Sequence, residues 1–501
     1  MANVQELLAD SLEKLRQLQE KHPNIILRGT EELSRTHLNR LIANGWLQEV
    51  MRGWYIPSRP GSEGDTTVWY TSYWHFINAY SRSRFDNDWC LSAESSLDFH
   101  SGKTTVPGQL IIKSPKASNN VVNLPYGHSM LPIKSAMPEN IVTEPEYGLQ
   151  LYSLESALVY ASPSYYTNEA MSARICLSMI DNPTGLLKIL TANGATVRAG
   201  RIIGALRSVG KNEIANEILT TMKDFGYTIS EENPFSTGTD LEPSRIKSPY
   251  VARMRMMWEN MREQVISNFP VAPHENVDIN SYLEHIDEKY LEDAYHSLSI
   301  EGYQVSIELI EKVRSGDWKP DGEDKEHKSA LVARGYYQAF QAVKDSVKRI
   351  LSGANSGEVV DEDHSRWYRQ MWMPFVTAGI LSASDLIGYR SSQVYIRGSQ
   401  HIPLNPRAVS DTMPELFNML RDEPDARVRA VLGHFMFVFI HPYMDGNGRM
   451  ARFILNAMLA SGGYPWTIIP LEKRKEYMAA LEKASVRGDI SDFAKLISSL
   501  I

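Results

Sequence analysis

Cysteine is nearly absent: Cys90 and Cys176 are the two in 501 residues. They sit in apolar surroundings far apart in the chain, which excludes a disulfide framework or a CxxC metal site and makes a reducing cytoplasm the expected setting. Long hydrophobic runs are missing too. The longest uncharged apolar stretch, Val431 to Met444, is interrupted by His434 and His441, and falls short of the ~20 residues a membrane span needs. The first twenty residues carry charges throughout and lack the apolar segment of a signal peptide. Basic excess is absent: 52 Lys+Arg against 60 Asp+Glu gives −8. That excludes a wholly basic nucleic-acid coat, though not a small local reading face. The 13 histidines form no HExxH or Cys/His cluster, so no structural zinc is expected. Repeats and long low-complexity tracts are lacking. What is present, 43% hydrophobic and 22% charged residues, suffices to bury cores, and the length predicts about three domains.

Residues 3–21 read as an amphipathic helix, with Val4, Leu7, Leu8, Leu12, Leu15 and Leu18 near helical spacing. After a tight turn, Ser34 is a good N-cap for a helix running to Asn44, with Gly45 as its stop. Trp46–Val50 and Gly53–Ile56 then read as a two-stranded wing. That order is the layout of a winged helix. Residues 65–235 mix short strands (Trp89–Ser92, Gln109–Lys113) with helices (Leu154–Tyr160, Asn168–Met179, Arg198–Val209, Asn212–Phe225), as in a small α+β domain. Ser230–Pro249, dense in Ser, Thr, Gly and Pro, is the expected linker. The remainder is mostly helical, with polar surface loops expected at Gly316–Lys328 and Gly353–Arg366. In HSGKTT (His100–Thr105) the glycine a P-loop needs is replaced by Leu97, so a polar loop is expected.

The chemistry is concentrated in HPYMDGNGRMAR, His441 to Arg452. An apolar helix leads in and a second helix leads out, so Gly-Asn-Gly falls at a helix N-terminus, where unpaired N–H groups and the dipole favour an anion. Gly446 and Gly448 let a phosphate approach the backbone. Arg449 and Arg452, three apart, share a helix face and can grip successive phosphates. Asp445 offers a hard oxygen for Mg²⁺, and His441 is suited to take a proton from an incoming hydroxyl. Together these groups suit transfer of part of a nucleotide to an alcohol.

This segment closely resembles the signature of Fic-domain proteins, H-x-F-x-(D/E)-G-N-(G/K)-R-x-x-R, with Tyr443 in place of the usual Phe. The resemblance covers about residues 285–500. It implies an all-α fold with one β-hairpin flap, for which YRSSQVYIRGSQHIPLNP (Tyr389–Pro406) is the match, and AMP transfer from Mg-ATP to a Ser, Thr or Tyr hydroxyl of a protein. By position, it implies that His441 is the base and Asp445 the metal ligand. It assigns the α-phosphate to Asn447 and the Gly446 and Gly448 amides, and the outer phosphates to Arg449 and Arg452. Upstream, SLSIEG resembles the family's inhibitory motif, (S/T)-x-x-x-E-(G/N), with Ser297, Glu301 and Gly302 at its fixed positions. Glu301 is then expected to pair bidentately with Arg452 and deny it to the γ-phosphate. In the flap, Val394 and Ile396 alternate with Tyr395 and Arg397. An open edge at Val394, Tyr395 and Ile396 could add a strand from a target; a hairpin that only covers the nucleotide is the other reading.

LNRLIANGWLQEVMRGWYIP resembles the winged helix of AbiE-type antitoxins, and the likeness continues to about residue 215. It implies DNA binding and self-repression. Arg35, Thr36, His37, Asn39 and Arg40 on the second helix, with Arg52 at the wing tip, are of types that reach phosphates and base edges. The expected organisation is a winged helix over 1–64, an α+β antitoxin-like domain over 65–235, a linker and leading helix over 236–284, and a Fic domain over 285–501. The expected function is a self-inhibited, cytoplasmic protein adenylyltransferase using Mg²⁺ and ATP, joined to a DNA-binding regulator, with no membrane partner. Two alternatives stay open: a repressor whose Fic domain senses nucleotide, and an enzyme that removes AMP, with Glu301 positioning a water. Target, operator, nucleotide base and oligomeric state are not readable from the sequence.

Overall fold

The computed structural model describes residues 4–22, 26–61, 66–192, 194–235, 248–273, 277–317 and 324–501. The chain divides into two compact units, residues 1–253 with 395–402, and residues 254–394 with 403–501. It is multidomain and mostly helical.

The first unit opens with α1 (Val4–Lys21), β1 (Leu27–Arg28), α2 (Arg35–Ala43), β2 (Leu47–Met51) and β3 (Trp54–Pro57). Leu15 of α1 and Leu38 and Leu41 of α2 are buried in one small core with Leu27, Leu33 and Leu47. Ser34 sits in extended backbone just ahead of α2 as an N-cap should, but its side chain makes no capping bond. Gly45 turns the chain at φ +73, and a Cβ there would lie 3.2 Å from Pro60. The strands form an antiparallel sheet in the order β1-β3-β2. The connection from α1 to α2 thus contains a strand in place of the expected simple tight turn.

Next come α3 (Thr67–Phe85), β4 (Cys90–Leu91), α4 (Ala93–His100), β5 (Gln109–Ser114), β6 (Val122–Asn123), β7 (Ser129–Lys134), β8 (Ile141–Thr143) and β9 (Gln150–Tyr152). α3 buries Trp69, Tyr73, Phe76 and Ile77 in a core shared with Leu110 and Ile112 of β5 and Met130 of β7. β5 and β7 are parallel neighbours in a four-stranded sheet, β4-β5-β7-β6. A second core is all helix: α5 (Leu154–Tyr160), α6 (Pro163–Asn168), α7 (Ala170–Ser178), α8 (Thr184–Ala192), α9 (Thr196–Ser208) and α10 (Asn212–Asp224). Of the expected linker, 236–247 lies outside the described residues. Its start is packed. The Ser230 and Glu232 carbonyls come so close to Gly200 and Gly204 of α9 that a Cβ at either glycine would overlap them.

α11 (Pro249–Asn268) bridges the sequence boundary, and the second unit continues with α12 (Ile279–Ile300), α13 (Ile307–Ser315), α14 (Asp324–Leu351), α15 (Ser356–Thr377), α16 (Pro406–Asp422), α17 (Ala426–Ile440), α18 (Asn447–Ala460), α19 (Arg474–Arg487) and α20 (Ser491–Ser498). α17 and α18 form its centre: nearly every residue of α18 is buried, the pattern of a helix surrounded by others.

Two expected loops are corrected. Residues 318–323 of the first lie outside the described residues, but its end, from Asp324, is helix. The second, Gly353–Arg366, is mostly the start of α15. Asn355 caps that helix by accepting from the Gly357 and Glu358 amides, and Val359, Val360 and Trp367 are buried at helical spacing. Its many polar residues mark an exposed face. The β-hairpin expected within Tyr389–Pro406 is also absent: this segment contains no strand. It holds a turn, with the Ser399 amide donating to the Ile396 carbonyl, and His401 forms an isolated bridge with Thr105. Pro403 and Pro406 lack the N–H that a returning strand must donate, and the Ile402 amide donates to the Thr104 carbonyl.

Candidate active site

The loop between α17 and α18 is set by two left-handed residues. α17 ends at His441, which adopts φ +55, and α18 is capped by Gly446 at φ +87. A Cβ at Gly446 would lie 3.3 Å from Met371 Sδ and Trp372 Nε1, so the left-handed backbone favours glycine and the space around it is tight. Between them Tyr443 is buried and stacks on Tyr368, ring centroids 3.7 Å apart and planes 5° from parallel. The expected anchoring role of this aromatic is met by that stack.

His441 Nδ1 lies 3.1 Å from the Val438 carbonyl oxygen. A carbonyl can only accept, so Nδ1 carries the proton and Nε2 presents the lone pair a general base needs. Burial, seconded by the nearby Arg390 guanidinium, pushes the imidazole down to about 4. Arg390 also donates from Nε to the His441 carbonyl over 2.7 Å, and its amide donates to the Pro442 carbonyl. It therefore fixes the loop while disfavouring a charged imidazole.

The Asn447 side chain is bonded within the loop. Its Oδ1 accepts from the Tyr443 amide at 2.9 Å and its Nδ2 donates to the Tyr443 carbonyl at 2.8 Å. That side chain closes the loop on itself, leaving backbone N–H groups of the α18 first turn to face an anion. Asp445 is more than half exposed. Its Oδ1 accepts from the Gly446 amide at 2.5 Å, and its Oδ2 accepts from the Tyr303 hydroxyl at 3.4 Å.

Arg449 is 1% exposed, and neither its Nε nor its Nη2 has a hydrogen-bond partner among the described residues. Its charge is met by Asp445 Oδ1 at 3.5 Å and by the rings of Trp372 and Tyr303, at 5.0 and 5.2 Å. Arg452 is buried as well. Nε donates to Ser297 Oγ at 2.9 Å, and Nη2 donates to the Ser297 carbonyl at 3.0 Å and to Glu301 Oε1 at 2.8 Å. The ion pair expected from the sequence forms, but through one nitrogen, Nη2, which Glu301 shares with the Ser297 carbonyl. Burial alone would raise Glu301; Arg452 and then Arg449 outweigh it and hold the carboxyl below its ordinary range.

Glu301 does more than pair. A Cβ at Gly448 would lie 2.3 Å from Glu301 Oε1, so the carboxylate rests on the backbone at the N-terminus of α18. An anion already occupies the anion site. Gly302, at φ +87, ends α12 with the Tyr303 amide donating to the Leu298 carbonyl and its own amide to the Ser299 carbonyl, the paired bonds of a left-handed helix stop.

Sequence reading missed Arg390, Trp372, Tyr303 and Asp293. Asp293 is buried one turn before Ser297, accepts from the Tyr336 hydroxyl at 2.8 Å, and is pushed up to about 7 by burial. Tyr303, two places past Glu301, was the one with a positional signal.

The remaining expected residues lie in the first unit or lead into it. Val394, Tyr395 and Ile396 are half-buried, and Tyr395 packs against the core of the first unit; the open strand edge expected there is not formed. On α2, Arg35, Thr36 and Asn39 are exposed, as is Arg52 in the β2–β3 turn. His37 and Arg40 face α1. His37 Nδ1 meets Ser11 Oγ at 3.0 Å, and Arg40 Nη1 donates to the Leu7 carbonyl at 2.9 Å and Ser11 Oγ at 2.7 Å. Three apart on the helix, they share its inner face, so those two are structural. Lys103 of the false P-loop pairs with Glu169 at 2.7 Å and Asp98 at 3.3 Å.

Residues 361–459 match the Fic/DOC family, so the C-terminal part of the chain carries a Fic/DOC domain, homologous to that of protein adenylyltransferases. Among its relatives are the protein adenylyltransferase fic-1 of Caenorhabditis elegans, 28% identical over 216 residues, 42% of this chain and 39% of that protein, and the protein adenylyltransferase Fic of Drosophila virilis, 29% identical over 215 residues, 42% of this chain and 41% of that one. The matched part is about two fifths of the length of these curated relatives. A solved fragment of C. elegans Fic-1 aligns at 20% identity and a TM-score of 0.37, covering 70% of this chain and 94% of the fragment.

Proposed function

We propose that the second unit transfers AMP from ATP to a protein hydroxyl and that Glu301 holds this activity off. The observation that carries the proposal is one loop with three functions: a neutral His441 with Nε2 free to accept a proton, a helix N-terminus bared by Gly446 and Gly448, and two buried arginines with donors left over. The hydroxyl of a target gives its proton to Nε2 as its oxygen attacks the α-phosphorus. Pyrophosphate leaves, its charge drawn toward Arg449 and Arg452. Asp445 is an exposed carboxylate suited to a Mg²⁺ that takes its other ligands from phosphate and water, and the metal's chemistry would be charge neutralisation across those phosphates. Glu301, seated where a phosphate oxygen would approach the helix end, keeps ATP out of a pose fit for in-line attack. Incubation with Mg²⁺ and ATP labelled at the α- or γ-phosphate tests this. Protein-bound α-label supports the reading, and γ-label alone would replace it with a kinase.

DNA binding by the N-terminal residues is a second proposal, supported by the exposed Arg35, Thr36, Asn39 and Arg52. A cytoplasmic setting suits an ATP-using chain whose two cysteines are free and buried.

A further inference from the structure

Tyr303 lies outside every role assigned so far, yet it touches two of the site's charged groups at once. The left-handed stop at Gly302 reverses the chain at the end of α12 and delivers Tyr303 beside α18. Its ring meets the Arg449 guanidinium at 5.2 Å, and Trp372 meets the same guanidinium at 5.0 Å. Its hydroxyl donates to Asp445 Oδ2. Arg449 is fully buried, with Nε and Nη2 lacking a hydrogen-bond partner among the described residues, and its charge is met by the two rings, by Asp445 and by the nearby Glu301 carboxylate. A desolvated cation gains most from aromatic faces. The hydroxyl, 3.4 Å from Asp445 Oδ2, faces the carboxylate that would hold a divalent cation.

We propose that Tyr303 is a positioning residue of the nucleotide site with two opposed effects: its ring holds Arg449 ready for phosphate, and its hydroxyl competes with the divalent cation for Asp445. This rests on the nucleotide-site reading above but assigns a residue that reading does not use. A cation held by Asp445 would then weaken the hydroxyl's bond, while the ring would stay on the arginine. Because Tyr303 follows Glu301 across a single glycine, one backbone movement at Gly302 would relax both restraints, whereas removing the Glu301 carboxylate alone would leave the second in place.

The test uses the full chain carrying Glu301→Gly and His441→Ala, so that the site is open and turnover is absent. ATP affinity is measured by calorimetry in EDTA, and Mn²⁺ affinity by electron paramagnetic resonance with ATP saturating. Thermal unfolding checks each variant's fold. Tyr303→Phe keeps the ring: ATP affinity without metal should stay within about twofold, and Mn²⁺ should bind roughly threefold to tenfold tighter, the scale of one hydrogen bond to a carboxylate. Tyr303→Ala should weaken metal-free ATP binding by roughly threefold to thirtyfold, the scale of a cation–π contact. With Arg449→Ala already present, Tyr303→Ala should have little further effect. Unchanged Mn²⁺ affinity in Tyr303→Phe overturns the competition, and unchanged ATP affinity in Tyr303→Ala overturns the clamp. These are binding measurements. The adenylylation reading stands or falls separately, on α-label transfer by the Glu301→Gly chain.

Discussion

Arg452 donates to Glu301 Oε1 over 2.8 Å and to Ser297 Oγ over 2.9 Å, while its Nη1 has no hydrogen-bond partner among the described residues. The guanidinium is thus held by α12 yet keeps a donor for another anion. Arg452 is buried while the Glu301 side chain is one quarter exposed, so removing the carboxylate leaves a buried cation held by Ser297 alone, at a cost below that of breaking a fully buried pair. A bound phosphate would recover part of that cost.

Glu301→Gly should therefore raise α-label transfer at least tenfold, with self-modification included, and lower the melting temperature of the ATP-free chain. Arg452→Ala should not mimic the gain, because it removes the phosphate ligand along with the inhibitory partner. The double change should give low activity, a non-additive result expected of residues acting through one site. If Glu301→Gly leaves transfer unchanged on a target the parent modifies, the carboxylate is only a helix stop.

His441→Ala should cut transfer by at least ~100-fold, the usual weight of a general base, with ATP affinity within a few-fold of the parent. The pH profile carries a sign. Burial and Arg390 lower the imidazole to about 4, so the base stays neutral well into acid. The acid limb of kcat/KM should lie below the ordinary histidine value of ~6.5. Replacing Arg390 by Met should move that limb upward, since a neighbouring positive charge is removed. A limb unmoved by that change would assign the low pKa to burial alone.

The motif was readable because its chemistry lies in one stretch of chain. His441, Asp445, the two glycines and both arginines needed only helix–loop–helix periodicity to place them, and Glu301 needed only its spacing from Ser297. What was hidden depends on contacts between distant segments. Trp372 could not be assigned to Arg449 without the packing of α15 on α18. The two bonds between the Asn447 side chain and the Tyr443 backbone are loop contacts that spacing alone does not show. The flap failed for a related reason: alternation at Val394–Arg397 reads as a strand, but its return carries Pro403 and Pro406 and finds its hydrogen bonds at Thr104–Val106. On α2, exposed and buried arginines look alike in one dimension. Arg40 was separable from Arg35 only by its register with Leu38 and Leu41.

That register divides the DNA-binding proposal. Arg35→Ala with Arg52→Ala should weaken binding of the full chain to DNA of its own promoter region and reduce the salt slope by about one for each phosphate that is no longer neutralised. Arg40→Ala should instead destabilise the N-terminal helices by ~1–2 kcal/mol, because its bonds to the Leu7 carbonyl and Ser11 are removed. Thermal unfolding and a gel-shift titration at two salt concentrations separate these effects. Absence of any shift with the parent at low salt would remove the regulator reading and leave a protein-contact role.

Asp293 gives a prediction on stability alone. It is buried beside Tyr336 in the helix that carries Ser297, and burial pushes its carboxyl up to about 7, against an ordinary 3.8, even though the Tyr336 hydroxyl and Arg452 pull it down. A folded-state pKa above the unfolded one means the folded chain keeps a proton that the unfolded chain has released. Stability from this group is fully present below about pH 4, falls as pH rises through the interval from about 4 to about 7, and is level above it. Asparagine has the same shape, still accepts from Tyr336 and carries no charge to desolvate. Asp293→Asn should therefore raise the melting temperature at pH 8.5, and the gain should exceed that at pH 5.5 by ~2 kcal/mol of stability, a few degrees for a unit of this size. The opposing term is Arg452, which loses a nearby carboxylate. If the variant is instead less stable at pH 8.5 than at pH 5.5 relative to the parent, Asp293 is ionised in the native chain and serves as a counter-ion of Arg452, placing it in the same electrostatic network as Glu301.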